Sequence, residues 1–212
     1  MEMPMFPLEW VLLPGEELAL RIFELRYTVL VGDLIRSGDP RFGVVLIARG
    51  REVGGGEQRN DVGTMVSITH YDELGSGRYN LRCLTGQRIR VGEWLPDDPY
   101  PRAMAQVWPD EPSDELTEKQ FSELERRIVA LHKQMATAPW RWLMASRNTL
   151  SGGKRLRALD PVQRLYSLAC RVPMGEADRY AVLAAPSLSD RLAVLHEAIE
   201  TVAARVEFQI PR

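Results

Sequence analysis

Cysteine, histidine and lysine are all scarce in this chain, and each scarcity excludes something. Two cysteines in 212 residues cannot form a disulfide framework, so Cys83, in a strand-like run, and Cys170, in a helix-like one, are read as reduced, buried thiols, which pair only if the fold brings them together. Three histidines leave little material for a metal centre of the common kinds. Lysine occurs only at Lys119, Lys133 and Lys154, arginine supplying the rest of the basic residues, and the formal net charge of −2 gives no overall field to gather nucleic acid or an anionic membrane. No apolar tract is long enough to span a bilayer, and the N-terminus has no basic region followed by an apolar run and a small-residue cleavage site. The expected compartment is therefore the cytoplasm, with no membrane partner.

What is present is ordinary globular material, 45% hydrophobic and 26% charged, in a chain long enough to bury a core without metal or disulfide staples. The N-terminal half reads as β with one helix inserted. Pro14-Gly15 is a turn signal, after which Leu18, Leu20 and Ile22 alternate with polar or small residues as a strand with one buried face. From Glu24 the apolar residues Leu25, Val29, Leu30 and Leu34 recur at helical spacing until Ser37-Gly38-Asp39-Pro40 stops the run. Phe42 to Ala48 predicts a strand buried on both faces, and the glycine-rich, charged stretch Arg49 to Asp61 predicts a mobile surface loop. Val62 to Ile68 alternates as another strand. Tyr79, Leu81 and Cys83 share a face, Thr85-Gly86 predicts a turn before Ile89 and Val91, and Ala103 to Val107 completes the set.

The period changes near Pro109, where WPDEPSD closes the β pattern, so the expected domains are residues 1–109 and 110–212. Beyond it Phe121, Leu124, Ile128, Leu131 and Met135 draw one apolar stripe, and Leu188, Leu192, Leu195, Ile199, Val202 and Val206 a second. Asp160-Pro161 with Gln163 is a helix start, and Gly175 to Ala184 predicts a short helix. The expected fold class is α+β, a twisted and partly closed β barrel followed by a helical bundle.

Candidate chemistry is thin. Ser151-Gly152-Gly153-Lys154 has the spacing of a Ser-Lys nucleophile pair, but two glycines oppose the rigid helix that pair needs, and an interhelical loop is the simpler reading. As a phosphate loop the same stretch has Arg155 where Ser or Thr must bind magnesium and Asn148 where the first glycine belongs. His196-Glu197 opens like a zinc helix, yet Glu200 stands at the second histidine position, so no metal or other cofactor is expected. Arg78, Arg82, Arg88 and Arg90 raise an RNA-binding alternative. Arg88 and Arg90 alternate with Ile89 and Val91 and so point away from the buried face, but no aromatics interleave to stack bases.

The ordered string FPL, VLLPG, L-x-L-x-IFE-x-RY within Phe6 to Tyr27 closely resembles the opening of the Lon protease N-terminal, substrate-binding domain. Phe42 to Ile47, Glu52-Val53-Gly54, Val62-Gly63-Thr64, Gly77 to Leu81, Gly86 to Val91 and Pro99-Tyr100-Pro101 continue the resemblance in order. It covers the first half of the chain well, and the second half only as a set of helices. The resemblance implies a PUA-like β pseudo-barrel and a module that recognises unfolded or degron-bearing polypeptides, as a proteolysis adaptor or a holdase working with a protease or chaperone. In the family the ATPase and Ser-Lys protease domains lie downstream, and these residues match neither, so no enzyme activity is expected. An uncharacterised hydrolase stays as a further alternative. The family motifs carry no binding residue over. Exposed aromatics on the β half would serve as peptide anchors, which nominates Trp94 and Tyr100 first and Phe23 and Tyr27 second, with core packing as the competing role for all four.

Overall fold

The computed structural model describes residues 1–52, 56–75, 77–136, 156 and 158–209. Two compact units divide it, Met1–Pro109 and Asp110–Arg212. The Ser151 to Lys154 stretch, Asn148 and Arg155 lie outside the described residues.

The first unit is a mixed six-stranded sheet with one helix. Its elements run β1 (Glu2–Leu8), β2 (Glu17–Ile22), α1 (Leu25–Ser37), β3 (Arg41–Arg49), β4 (Gln58–Glu73), β5 (Tyr79–Leu95) and β6 (Arg102–Val107). The sheet order is β2-β5-β4-β3-β1-β6, and β5 also pairs with β6. Only β1 and β3 are parallel. Five strands thus form a closed circuit of pairings, β1-β3-β4-β5-β6-β1, while β2 pairs with the first part of β5 alone.

That circuit separates two cores, because successive side chains on a strand point to opposite faces. Met3, Met5, Val45, Met65, Ile89, Val91, Ala103 and Ala105 come only from the five circuit strands and fill its inside. Phe6, Leu8, Phe42, Val44 and Val66 take the other face of the same strands, where Leu18, Leu20 and Ile22 of β2 and Tyr27, Leu30, Val31 and Leu34 of α1 cover them. The inside is tight. A Cβ at Gly43 would stand 2.6 Å from the Met5 sulfur and 2.7 Å from Ile89.

Three expectations need correction here. Thr85-Gly86 is not a turn: β5 runs through it, and the register steps from Thr64↔Arg88 to Val66↔Thr85, so one extra residue sits on β5 as a bulge. The bulge moves β5 from one core to the other. Leu81 and Cys83 face the helix side, and Ile89 and Val91, of the same parity, face the inside. In α1 the buried stripe is Tyr27, Leu30, Val31 and Leu34, not one that begins at Leu25, which is 78% exposed. The loop predicted from Arg49 to Asp61 is shorter, because β3 includes Arg49 and β4 starts at Gln58; Val53, Gly54 and Gly55 lie outside the described residues.

The second unit is helical: α2 (Glu118–Ala136), α3 (Pro161–Ala169), α4 (Glu176–Ala184) and α5 (Leu188–Gln209). Phe121, Leu124, Ile128, Leu131 and Met135 are all buried, as are Leu192, Leu195, Ile199, Val202 and Val206. Caps set the helix starts. Asp160 accepts a hydrogen bond from the Gln163 amide at 3.0 Å with Pro161 at the first position, and Thr117 and Gln120 exchange the two bonds of a capping box ahead of α2. The described residues hold no helix long and apolar enough to cross a membrane.

Candidate functional site

Among the described residues, the corner between β2 and α1 carries the two most exposed large apolar side chains of the β unit. Ile22 ends β2 inside the core, while Phe23 is 63% and Leu25 78% exposed. Glu24 between them is the N-cap residue, with extended φ and ψ of −75° and 136° and no side-chain capping bond. Its carboxylate instead accepts from Arg26 Nε at 3.2 Å. Arg26 bends back, its Nη2 donating to the Glu52 carbonyl at 2.9 Å and its guanidinium lying 4.5 Å from the Tyr27 ring centroid. The Glu52 amide in turn donates to Glu9 Oε1 at 3.3 Å. Below, Tyr27 stacks on Phe6 with ring centroids 4.0 Å apart, and Thr28 donates to the Gly77 carbonyl at 2.6 Å. The two exposed apolar residues therefore sit on a corner held from three directions.

The four aromatic candidates separate. Tyr27 is 2% and Tyr100 9% exposed, both in the helix-side core. The Tyr100 hydroxyl donates to Asp33 Oδ2 at 2.9 Å. Trp94 is half-buried against the inner core, with Arg59 4.9 Å from its centroid and its Nε1 donating to Asp61 at 3.2 Å. Phe23 is the one whose ring is mostly free. Leu25 was missed by sequence reasoning, which counts it only among the apolar residues at helical spacing. Its signal was available: it directly follows a polar residue at a strand-to-helix corner, and the first helical position faces the core only if the chain enters from that side.

Electrostatics around the corner are uneven. Burial raises the Glu52 carboxyl above the ordinary range, the Glu9 backbone opposes this, and the Glu9 and Glu24 carboxylates add to it. Burial also raises the Tyr27 hydroxyl, with Arg26 opposing and Glu57 and Glu24 adding. Two buried polar atoms near this corner have no hydrogen-bond partner, the Tyr27 hydroxyl and Glu57 Oε2. The other Glu57 oxygen meets Arg59 at 2.8 Å, and Arg59 also pairs with Asp97 at 2.6 Å.

The arginine pair that raised an RNA reading is arranged otherwise. Arg88 does point away from Ile89, but that face is covered at this point and Arg88 is only 4% exposed. It donates to the Trp108 carbonyl at 2.8 Å and the Pro109 carbonyl at 3.3 Å, and it and Arg90 lie 3.8 and 3.6 Å from the Trp108 ring centroid. Arg88 is thus spent on packing and on backbone carbonyls. His196 lies beside Arg127, whose Nη1 is 2.6 Å from its Nδ1 and whose Nη2 pairs with Glu200 at 3.0 Å. Burial and the Arg127 charge lower its proton affinity. No cluster of three or more His, Cys, Asp or Glu placed to hold a metal ion occurs among the described residues.

Comparison with known proteins decides the family. A model of the ATP-dependent protease La (LON) substrate-binding domain matches residues 2–201. The chain belongs to this LON substrate-binding domain family. A Lon N-terminal domain protein from Xanthomonas campestris has a similar solved structure, at 27% identity and TM-score 0.65, over 93% of this chain and 98% of that one. The N-terminal domain of a Mycobacterium avium complex Lon protease shares the fold at 13% identity and TM-score 0.61, over 94% and 98% of the two chains. Among curated proteins no match is found. The LON domain occupies nearly all of the 212 residues, leaving no room within them for an ATPase or a protease domain.

Proposed function

We propose that this LON domain is a non-catalytic, polypeptide-binding module, and that the β2–α1 corner is its client surface. The observation that carries the reading is the exposure of Phe23 and Leu25 together on a corner whose neighbours are pinned by Arg26, Tyr27 and Thr28. Apolar side chains held on a rigid frame lose little entropy on binding, so most of their burial energy goes into affinity. Family membership supports substrate recognition as the activity. Unfolded or degron-bearing chains in the cytoplasm are the clients, and the module serves as an adaptor or holdase beside a protease or chaperone. Trp94 takes a secondary place at most, since its ring and its nitrogen are both engaged. Tyr27 and Tyr100 act through packing.

The test is capture of a permanently unfolded client, such as reduced and carboxymethylated lactalbumin. Phe23→Ala and Leu25→Ala should each weaken binding by about 1 kcal/mol or more, with the melting temperature unmoved. Wild-type affinity in the double variant would remove the client surface from this corner. No binding by the wild-type protein would remove the function.

A further inference from the structure

We propose that the β2–α1 corner selects polypeptide segments in which a bulky apolar residue stands next to a lysine or arginine. The inference rests on the polypeptide-binding reading and specifies its substrate class. Phe23 and Leu25 flank Glu24 directly, and Glu9 and Glu52 are joined to that position through the Arg26 and Glu52 backbone bonds. The Glu9 and Glu24 carboxylates and the Arg26 guanidinium all act on the Glu52 carboxyl, so three carboxylates share the corner with Arg26, which itself donates to Glu24 and to a main-chain carbonyl. Beside Tyr27, Glu57 shares Arg59 with the exposed Asp97, which again leaves an excess of negative charge.

Carboxylates crowded together in this way attract an ammonium or guanidinium and repel an acidic segment, and repulsion of the wrong partner sharpens selection as much as attraction of the right one. The apolar residue of the segment covers Phe23 and Leu25 while its basic neighbour meets Glu9, Glu24 and Glu52.

The experiment uses three fluorescent peptides of equal length with one shared apolar core, flanked by lysine and arginine, by glutamine, or by glutamate. Anisotropy titration of the full chain at low salt should rank basic above neutral above acidic, with about a tenfold span or more between the ends. The span should shrink at high salt, where charges are screened over a few ångströms. Glu9→Gln, Glu24→Gln and Glu52→Gln, each conserving shape, should reduce affinity for the basic peptide and leave the neutral one unchanged. Equal binding of all three peptides overturns the charge selection and leaves the polypeptide-binding function standing. A basic preference that survives all three substitutions overturns its assignment to this corner. Failure of every peptide and of the carboxymethylated client overturns both readings.

Discussion

The two units bury polar groups in different ways. In the β unit the buried polar side chains chiefly staple backbone: Thr64 donates to the Leu12 carbonyl, Thr85 to the Leu13 carbonyl, Glu16 accepts from the Leu13 amide, and Arg88 donates to two carbonyls beside Trp108. In the helical unit two of the buried arginines reach carboxylates instead. Arg164 bridges Glu118 and Glu125 above the Phe121 ring, and Arg191 grips both oxygens of Asp110 above Tyr166. The difference follows from the backbones. Helices satisfy their own interior amides and carbonyls, so a buried cation there mostly meets side chains, whereas bulges and connecting segments in a sheet leave main-chain groups to be met.

The comparison breaks first at Arg191. It is wholly buried, and its Nε and Nη2 also donate to the Val182 and Ala185 carbonyls, at the end of α4. Arg191→Ala removes a wholly buried guanidinium together with its two bonds to the Asp110 carboxylate and should cost about 3–5 kcal/mol, read by chemical denaturation. Arg191→Met restores volume without the pairing and should recover only part. A cost under about 1 kcal/mol would mean that the helical unit does not depend on its charge pairs.

In the β unit the equivalent weak point is steric. A Cβ at Gly63 would stand 2.1 Å from the Val44 carbonyl oxygen and 2.7 Å from Val45, so the β3–β4 backbones approach more closely than any side chain permits. Gly63→Ala should destabilise by about 2–3 kcal/mol through strand displacement. Gly86→Ala, with no atom nearer than 3.7 Å, should change stability by less than about 0.5 kcal/mol. Equal effects at the two glycines would show that the sheet adjusts where this packing says it cannot.

A smaller effect tests whether the helical unit also depends on local backbone satisfaction. Asp160→Ala removes the side-chain acceptor for the Gln163 amide at the start of α3 and should cost about 1 kcal/mol. Asp160→Asn keeps an acceptor and should recover most of it. Denaturation midpoints of the two variants decide the matter.

How far the sequence was legible divides along the same line. The stripes of α2 and α5, the Asp160 cap and the alternation of exposed and buried residues along β2 were open to reading, because each needs only a local period or a short-range bond. The Gly86–Gln87 bulge was not. Glycine there looks like a turn, and only the partner strand shows that β5 continues with one residue extra. Arg88 followed its alternation correctly, yet alternation does not say that the far face of that strand is also covered. The site was least legible: Tyr27, Tyr100 and Phe23 are similar residues in similar motifs, and which ring meets water depends on the angle at which β2 hands the chain to α1.

At Cys83 the β unit buries an ionisable group without any charge partner. Burial alone pushes its thiol up to about 12. In the unfolded chain the thiol ionises near its ordinary value of about 8.5. Below that value both states hold the proton and the stabilisation is fully present. Above it the unfolded chain loses the proton first, so stability falls with rising pH, by about 1.4 kcal/mol per unit, until the folded thiol ionises near 12. Cys83→Ala should remove this part of the alkaline slope, measured by denaturation at a series of pH values, at the cost of a small cavity. Native protein at neutral pH should leave Cys83 unreactive to a thiol reagent that labels it at once in denaturant. A Cys83→Ala variant with the full wild-type slope, or rapid labelling of native Cys83, would show that the helix-side core admits water, and the contrast between the two units would fail at its quietest point.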